Sequence, residues 1–292
     1  SVNFQYLGRN YTANRYHSRQ HSPRPESYRE DVDTSRHWNG SDTTTAKNNK
    51  AAFFNEIRSG AESGWDFSSR FLSFSSPESS LPRVTAENYM RLVEREREEG
   101  GRDFPLYTER AARVIPVCLN SVMLRFEKNM ASFCRKRTTL SHSHSHSYSD
   151  SDSSSDDDDD CGVWGDRVRL RRELLDEVLW NEALGRWSDL DLDSLQHIQR
   201  CASPQSKEGA EQDDECESWH ASASEWFPLW AFGSGEADAA ERVRVIGVAV
   251  DSFLSSGLLI GKLGPLTTTI VSNQQWDAPN VWAPLVGILV DG

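Results

Sequence analysis

The chain has 292 residues, room for one large domain or two small ones, and 37% of them are hydrophobic, with ten tryptophans and twelve phenylalanines. A formal net charge of −13 argues against a nucleic-acid binder, which needs a basic face to displace counterions from phosphates. No apolar run reaches the roughly 18 residues of a membrane span, and five cysteines without a Cys-x-x-Cys spacing argue against a zinc site.

From the N-terminus, residues 1–22 are polar with scattered aromatics (Phe4, Tyr6, Tyr11, Tyr16) and read as an irregular lead-in. Ser1 is preceded by no methionine and followed by no apolar leader, which reads as the interior of a longer chain. Asn10-Tyr11-Thr12 and Asn39-Gly40-Ser41 match the glycosylation acceptor pattern, a triplet that also arises by chance, and the compartment stays open. Arg24 and Glu26 sit among Pro23 and Pro25, which bias the backbone toward an extended form. Residues i and i+2 of an extended segment point the same way, so Arg24 and Glu26 are expected on one surface. A surface ion pair of small worth is the plain alternative.

Residues 29–46 are charged and turn-rich, and Phe53, Phe54 and Ile57 then mark the buried side of a helix. That helix runs into Glu62-Ser63-Gly64-Trp65-Asp66-Phe67-Ser68-Ser69-Arg70. A carboxyl beside Trp65 or Phe67, with Glu62 near it, is a setting in which burial and like charge can raise an aspartic pKa. An acidic loop of this kind serves equally as a solvated helix cap. Residues 73–110, with alternating charges at 94–99, read as a solvated insert that holds at most a short surface helix.

Leu119, Val122, Met123, Phe126, Met130 and Phe133 recur on one face of a helix. The tract 138–160, where His142, His144 and His146 alternate with serine ahead of Asp156–Asp160, is too polar to offset its chain entropy and is expected to be disordered. Weak metal binding by these histidines is a minor alternative. Leu170, Leu174, Leu175, Val178 and Leu179 predict a second helix. Alternation of Asp189, Asp191 and Asp193 with Leu190 and Leu192 predicts a short strand with its acids on the wet side. A calcium loop is the sharper reading there, but the glycine and terminal glutamate of an EF-hand are missing. Residues 201–221 read as another polar insert. Ala239, Val243, Ile246, Val250, Phe253 and Leu254 predict a third helix ending near Gly257, and Trp282, Leu285, Val286 and Leu289 a last one. These periodicities alone support an all-α class.

Three strings carry more: Pro23-Arg24-Pro25-Glu26-Ser27-Tyr28, then Glu62 to Arg70, then Gln274-Gln275-Trp276-Asp277-Ala278-Pro279-Asn280-Val281-Trp282-Ala283-Pro284. Together and in this order they resemble the signatures of the trehalases, glycoside hydrolases that split α,α-trehalose into two glucoses. The segments Val114–Asn120 and Pro228–Ala231 agree with them. The resemblance implies an incomplete catalytic domain over 1–292, part of an (α/α)6 toroid interrupted by polar inserts at about 73–110, 138–162 and 201–221. It implies Asp66 as general acid, Arg24, Pro25, Glu26 and the Gly64 backbone on the sugar, trehalose as the ligand, and neither metal nor cofactor. Trp276 is placed equally well as a glucose platform or as core.

The resemblance has gaps. Most of the family has aspartate where this chain has Cys118, and the segment Gly264–Thr269 departs from the family's wording. The family's general base follows in a Glu-Lys-Tyr-Asp context ahead of a Gly-Gly-Glu-Tyr stretch, and neither is present. The chain therefore reads as a fragment that does not turn over trehalose alone. A trehalase-like remnant acting as a sugar-binding or interaction module, and a related glycosidase for another disaccharide, are the competing readings.

Overall fold

The computed structural model describes residues 1–38, 46–72, 106–144, 159–199, 220–233, 240–260, 264–272 and 274–291. The first departure from the sequence reading comes at once. Residues 2–6 and 9–13 form an antiparallel hairpin, β1 and β2, in place of an irregular lead-in. Its two-residue turn, Leu7-Gly8, has positive φ at both positions (46° and 81°), the geometry that matches the twist of paired strands. Phe4 stacks on Tyr11 across the pair, and the strand register buries Tyr11 and Ala13.

Tyr28–Thr34 forms α1 where only turns were expected, and Ala46–Glu62 forms α2. Phe53, Phe54 and Ile57 are buried as predicted, in a small cluster of their own against Trp38, Phe67 and Leu106. After the short strand β3 (Val114–Ile115), Val117–His144 forms α3 and Asp159–Glu173 forms α4. A π-helical segment, Leu174–Leu179, continues α4 and buries Leu174, Leu175, Val178 and Leu179. Leu170, expected on the same face, is exposed. Two-residue strands follow at Trp180–Asn181 (β4), Arg186–Trp187 (β5) and Leu190–Asp191 (β6), pairing β4 with β5 and β3 with β6. The remaining helices are α5 (Phe227–Phe232), α6 (Ala240–Ser255) and α7 (Ala283–Asp291). The class is all-α, with strands reduced to the hairpin and short pairs.

The long helices turn different faces inward from those their largest apolar residues suggest. In α3 the buried stripe is Val117, Ser121, Leu124, Glu127 and Ala131, while Val122, Phe126 and Phe133 are exposed. In α6 Ala249 is buried, but Val243, Val250 and Leu254 are exposed. For α3 the physical reason is a polar network that claims the inner face. Arg171 of α4 donates to Glu127 (3.0 Å), to Asn120 Oδ1 (2.6 Å) and to Asn14 Oδ1 (2.7 Å), all largely buried. A charge taken out of water must be matched, so this face of α3 follows its partners rather than its hydrophobicity.

The predicted inserts fall largely outside the described residues, at 73–105, 145–158 and 200–219. Their described edges are built in. α3 runs to His144 and α4 starts at Asp159, so both flanks of the low-complexity tract are helical. Glu109 is fully buried and Leu72 bridges to it, and Ala221 pairs with Thr269. The segment Gly264–Thr269 is likewise packed, with Leu266 to Thr269 buried and Thr268 bridged to Ser222.

A disulfide joins Cys134 of α3 to Cys161 of α4, with Cα atoms 5.6 Å apart and a sequence separation of 27. The cysteine count did not foresee this pairing. Closing a loop of that length constrains the unfolded chain by about 3 kcal/mol in the chain-entropy account. Replacing both cysteines by serine is expected to lower the urea midpoint by a corresponding amount; an unchanged midpoint would contradict that role.

Candidate active site

The Asp66 segment begins where α2 ends. Ser63 Oγ donates back to the Gly60 carbonyl (2.5 Å) and accepts from Trp65 N (3.0 Å), and Gly64 turns the chain at φ +73°. That φ is what demands glycine, since a Cβ at Gly64 would meet no protein atom. Gly64 is exposed, so its backbone is open to a ligand, and Asp66 is half-buried beside it. No described residue hydrogen-bonds the Asp66 carboxylate.

All three sequence strings meet at this segment. Gln275 Nε2 donates to the Asp66 carbonyl, Trp276 N donates to the Phe67 carbonyl (3.1 Å), and the Arg24 guanidinium lies 4.9 Å over the Phe67 ring. Trp65, Trp276 and Trp282 form a continuous stack, with centroids 5.3 Å apart in the first pair and 4.3 Å in the second. Trp276 is half-buried within that stack, so it is wall first, with part of its surface left to the solvent side.

Arg24 and Glu26 do not share a surface. Pro25–Ser27 closes a 3-10 turn, which rotates successive side chains by a third of a circle, so the extended-segment argument fails there. Arg24 is buried and its Nε and Nη2 go to Asp31 (Nη2 to Oδ1, 2.6 Å), whereas Pro25 and Glu26 are exposed. Asp31, which sequence reasoning passed over, is the residue that aims Arg24; its only signal was an acid seven positions on, within a charged run.

Beneath the loop lie two buried carboxylates. Asp277 accepts from Ser68 Oγ (2.9 Å), Ser69 N (2.8 Å), Thr268 Oγ1 (3.0 Å) and Ser272 Oγ (2.5 Å). Burial pushes its carboxyl up, and these donors pull it back part of the way. Asp189 holds Arg70 through Nε (2.7 Å) and Nη2 (2.8 Å) and also accepts from Val117 N (2.8 Å). It is buried, against the prediction that this acid lies on the wet side of a strand. Asp191 and Asp193 are the ones left nearer solvent, paired with Arg110 and Arg113. Arg70, Arg110 and Arg113 thus pair with the acids for which a calcium loop was considered. Among the described residues no group of three or more acids, histidines or cysteines is arranged to hold a metal ion.

Arg70 is fully enclosed, with its guanidinium 4.7 Å over Trp65 and 4.9 Å over Phe71 and its Nη1 donating to Cys118 Sγ (3.1 Å). Burial works against its charge, but Asp189 outweighs that and holds its pKa above the ordinary value. Behind Ser69 and Arg70 a gap of about 20 Å³, the space of one water, is closed by His220, Ser222, Glu225 and Thr268. Glu225 pairs with Arg186 (3.0 Å) and caps its helical turn through Ser222. Neither Glu225 nor Arg186 stands in any of the three strings. A larger cavity, about 500 Å³, is lined by Arg70, Phe71, Arg110, Asp191, Asp193 and His197 among others, and does not include Asp66.

Two outcomes follow from these buried charges. Asp189→Ala would remove the carboxylate that meets two nitrogens of the buried Arg70, and is expected to cost about 3–5 kcal/mol in denaturant unfolding. A cost below about 1 kcal/mol would contradict the enclosure of Arg70. Burial pushes the Glu225 carboxyl from its ordinary 4.5 up to about 7, despite the opposing pull of Arg186. The fold then keeps a proton that the unfolded chain has released. This contribution is complete below pH 4.5 and is lost as pH rises through about 7. The wild type is therefore expected to lose stability more steeply than Glu225→Gln between those values, and parallel curves would contradict the assignment.

The family model described as trehalase matches residues 1–90 and 81–292. Trehalase from Homo sapiens is 26% identical over 296 residues, covering 100% of this chain and 37% of that protein. Periplasmic trehalase from Pseudomonas aeruginosa is 27% identical over 279 residues, covering 96% and 36%. The chain thus spans little more than a third of the length of the curated relatives it matches. Among solved structures, neutral trehalase from Saccharomyces cerevisiae aligns with 92% of this chain and 52% of its own at 17% identity and a TM-score of 0.39, too loose a likeness to argue from. The family model spans the chain from end to end, and this protein belongs to the trehalase family.

Proposed function

We propose that this chain carries the acid-bearing part of a glycosidase that splits α,α-trehalose with inversion, and that its helices form part of an (α/α)6 toroid. The observation that carries the reading is the meeting of the three strings at Phe67, one residue from Asp66. In the reaction, the Asp66 carboxyl gives its proton to the bridging oxygen as the glycosidic C–O bond breaks. A second carboxylate takes a proton from water on the opposite face of the sugar, and that water bonds to the anomeric carbon. Both glucoses leave as free sugars. The Gly64 backbone and Glu26 are open to the hydroxyls of the substrate, Pro25 sets the turn between Arg24 and Glu26, and the exposed part of Trp276 offers a ring face.

An inverting pair stands about 6.5–9.5 Å apart, with water between, and no motif in these residues supplies the base. The isolated 292 residues are therefore expected to bind trehalose without turning it over. In the full-length protein, Asp66→Asn is expected to lower kcat by about 10²–10⁴-fold, the usual worth of a general acid, while trehalose still binds. Undiminished hydrolysis by that variant would sink the assignment. One observation favours the second reading, a sugar-binding remnant: Asp31 already occupies two nitrogens of Arg24. Trehalose binding without turnover by the full-length protein would decide for it.

A further inference from the structure

The geometry points to Asp277 as the positioning residue of the proton donor, acting through Ser68 and Ser69 to hold the loop that presents Asp66. The inference rests on the reading of Asp66 as the acid and extends it to a residue that never touches the sugar.

Asp277 is completely buried and both its oxygens are filled: Ser68 Oγ and Thr268 Oγ1 donate to Oδ1, Ser69 N and Ser272 Oγ to Oδ2. A carboxyl group so enclosed has no path by which to exchange a proton with substrate and no face to offer it. What it does is join two distant parts of the chain. Ser68 and Ser69 lie two and three residues past Asp66, while Thr268 and Ser272 belong to the packed segment that pairs with Ser222 and Ala221. Ser68 Oγ also accepts from Arg70 N (3.1 Å), so the same hydroxyl fixes the turn and passes its hold to Asp277.

The neighbours of Asp277 complete the clamp on the other side of Asp66. Gln275 donates to the Asp66 carbonyl and Trp276 N to the Phe67 carbonyl, so four consecutive residues, Asp66 to Ser69, are each bound to the stretch Gln275–Asp277. The Gln275 side chain and the Trp276 amide hold the carbonyls of Asp66 and Phe67, and Asp277 ties the next two residues, Ser68 and Ser69, to the buried Thr268–Ser272 segment. A general acid must meet its oxygen at hydrogen-bond distance, and an error of about 1 Å can cost 10²-fold in rate. Loss of the anchor is expected to appear in the step that needs the proton.

The test uses two substrates in the full-length protein. Trehalose needs its leaving oxygen protonated, whereas α-D-glucosyl fluoride releases fluoride ion without a proton and still requires the water-activating base. Asp66→Asn, Asp277→Ala and Asp277→Asn are assayed on both. Asp66→Asn is expected to lose about 10²–10⁴-fold on trehalose and far less on the fluoride. Asp277→Ala is expected to show the same selectivity, with kcat on trehalose down by about 10²-fold at little-changed KM. Asp277→Asn, which keeps an oxygen for the Ser69 amide and tests the role if the alanine variant does not fold, is expected to lie between the wild type and Asp277→Ala. Equal losses on both substrates, or no loss, in a folded Asp277 variant while Asp66→Asn remains selective would overturn the positioning role alone. Absence of selectivity in Asp66→Asn, or a protein inert on both substrates, would overturn the acid assignment and this inference with it.

Discussion

A guanidinium taken out of bulk water has to be matched, and the match of Arg70 to Asp189 constrains the structure around the Asp66 loop. Arg70 is enclosed between Trp65 and Phe71 and meets Asp189 with two nitrogens. Asp189 in turn accepts from Val117 N, at the first residue of α3. The end of the Asp66 loop and the start of the longest described helix are thereby fixed to one carboxylate. Removing either partner exposes the other to a desolvation cost that no local rearrangement offsets. The pair is better understood as a registration device than as a source of stability.

Asp277 plays the matching part a few residues earlier, at Ser68 and Ser69. The loop is thus held at Ser68–Ser69 by one buried acid and at Arg70 by another, while the carboxylate of Asp66 is left unbonded by any described residue. This asymmetry is what an acid catalyst needs. The supporting carboxylates spend their hydrogen-bonding capacity on backbone, hydroxyl and guanidinium groups, and in the proposed reading Asp66 keeps its own for a ligand. Cys118 fits the same frame: its Sγ accepts from Arg70 Nη1 at 3.1 Å. Asp189 thus meets two nitrogens of Arg70 and the Cys118 thiol a third.

The sequence showed the helices of residues 46–62, 117–144 and 240–255 because helical spacing survives in their composition. It did not show which face of residues 117–144 turns inward. That choice belongs to Arg171, Glu127, Asn120 and Asn14, partners brought together over more than a hundred residues. The hairpin at residues 2–13 was missed because its turn is Leu-Gly, and leucine at positive φ is not a residue that announces a turn. Within the site, Asp66, Gly64 and Trp276 were legible as members of strings, and their meeting is what three strings in a fixed order suggested. The supporting acids were not. Asp189 looked like a wet strand residue, Glu225 lay in no string, and Asp31 looked like surface charge; only tertiary partners distinguish a buried carboxylate from an exposed one.

The central claim is that Asp66 faces the bridging oxygen of trehalose, and a crystal structure with an amine-bridged analogue tests it most directly. Nitrogen in place of that oxygen is basic and draws the proton donor to itself. The account predicts an Asp66 carboxylate oxygen within about 2.6–3.2 Å of the bridging nitrogen, with the contacts of Asp277 to Ser68 and Ser69 unchanged. An analogue bound with another carboxylate at that nitrogen, and Asp66 turned away from it, would contradict the account.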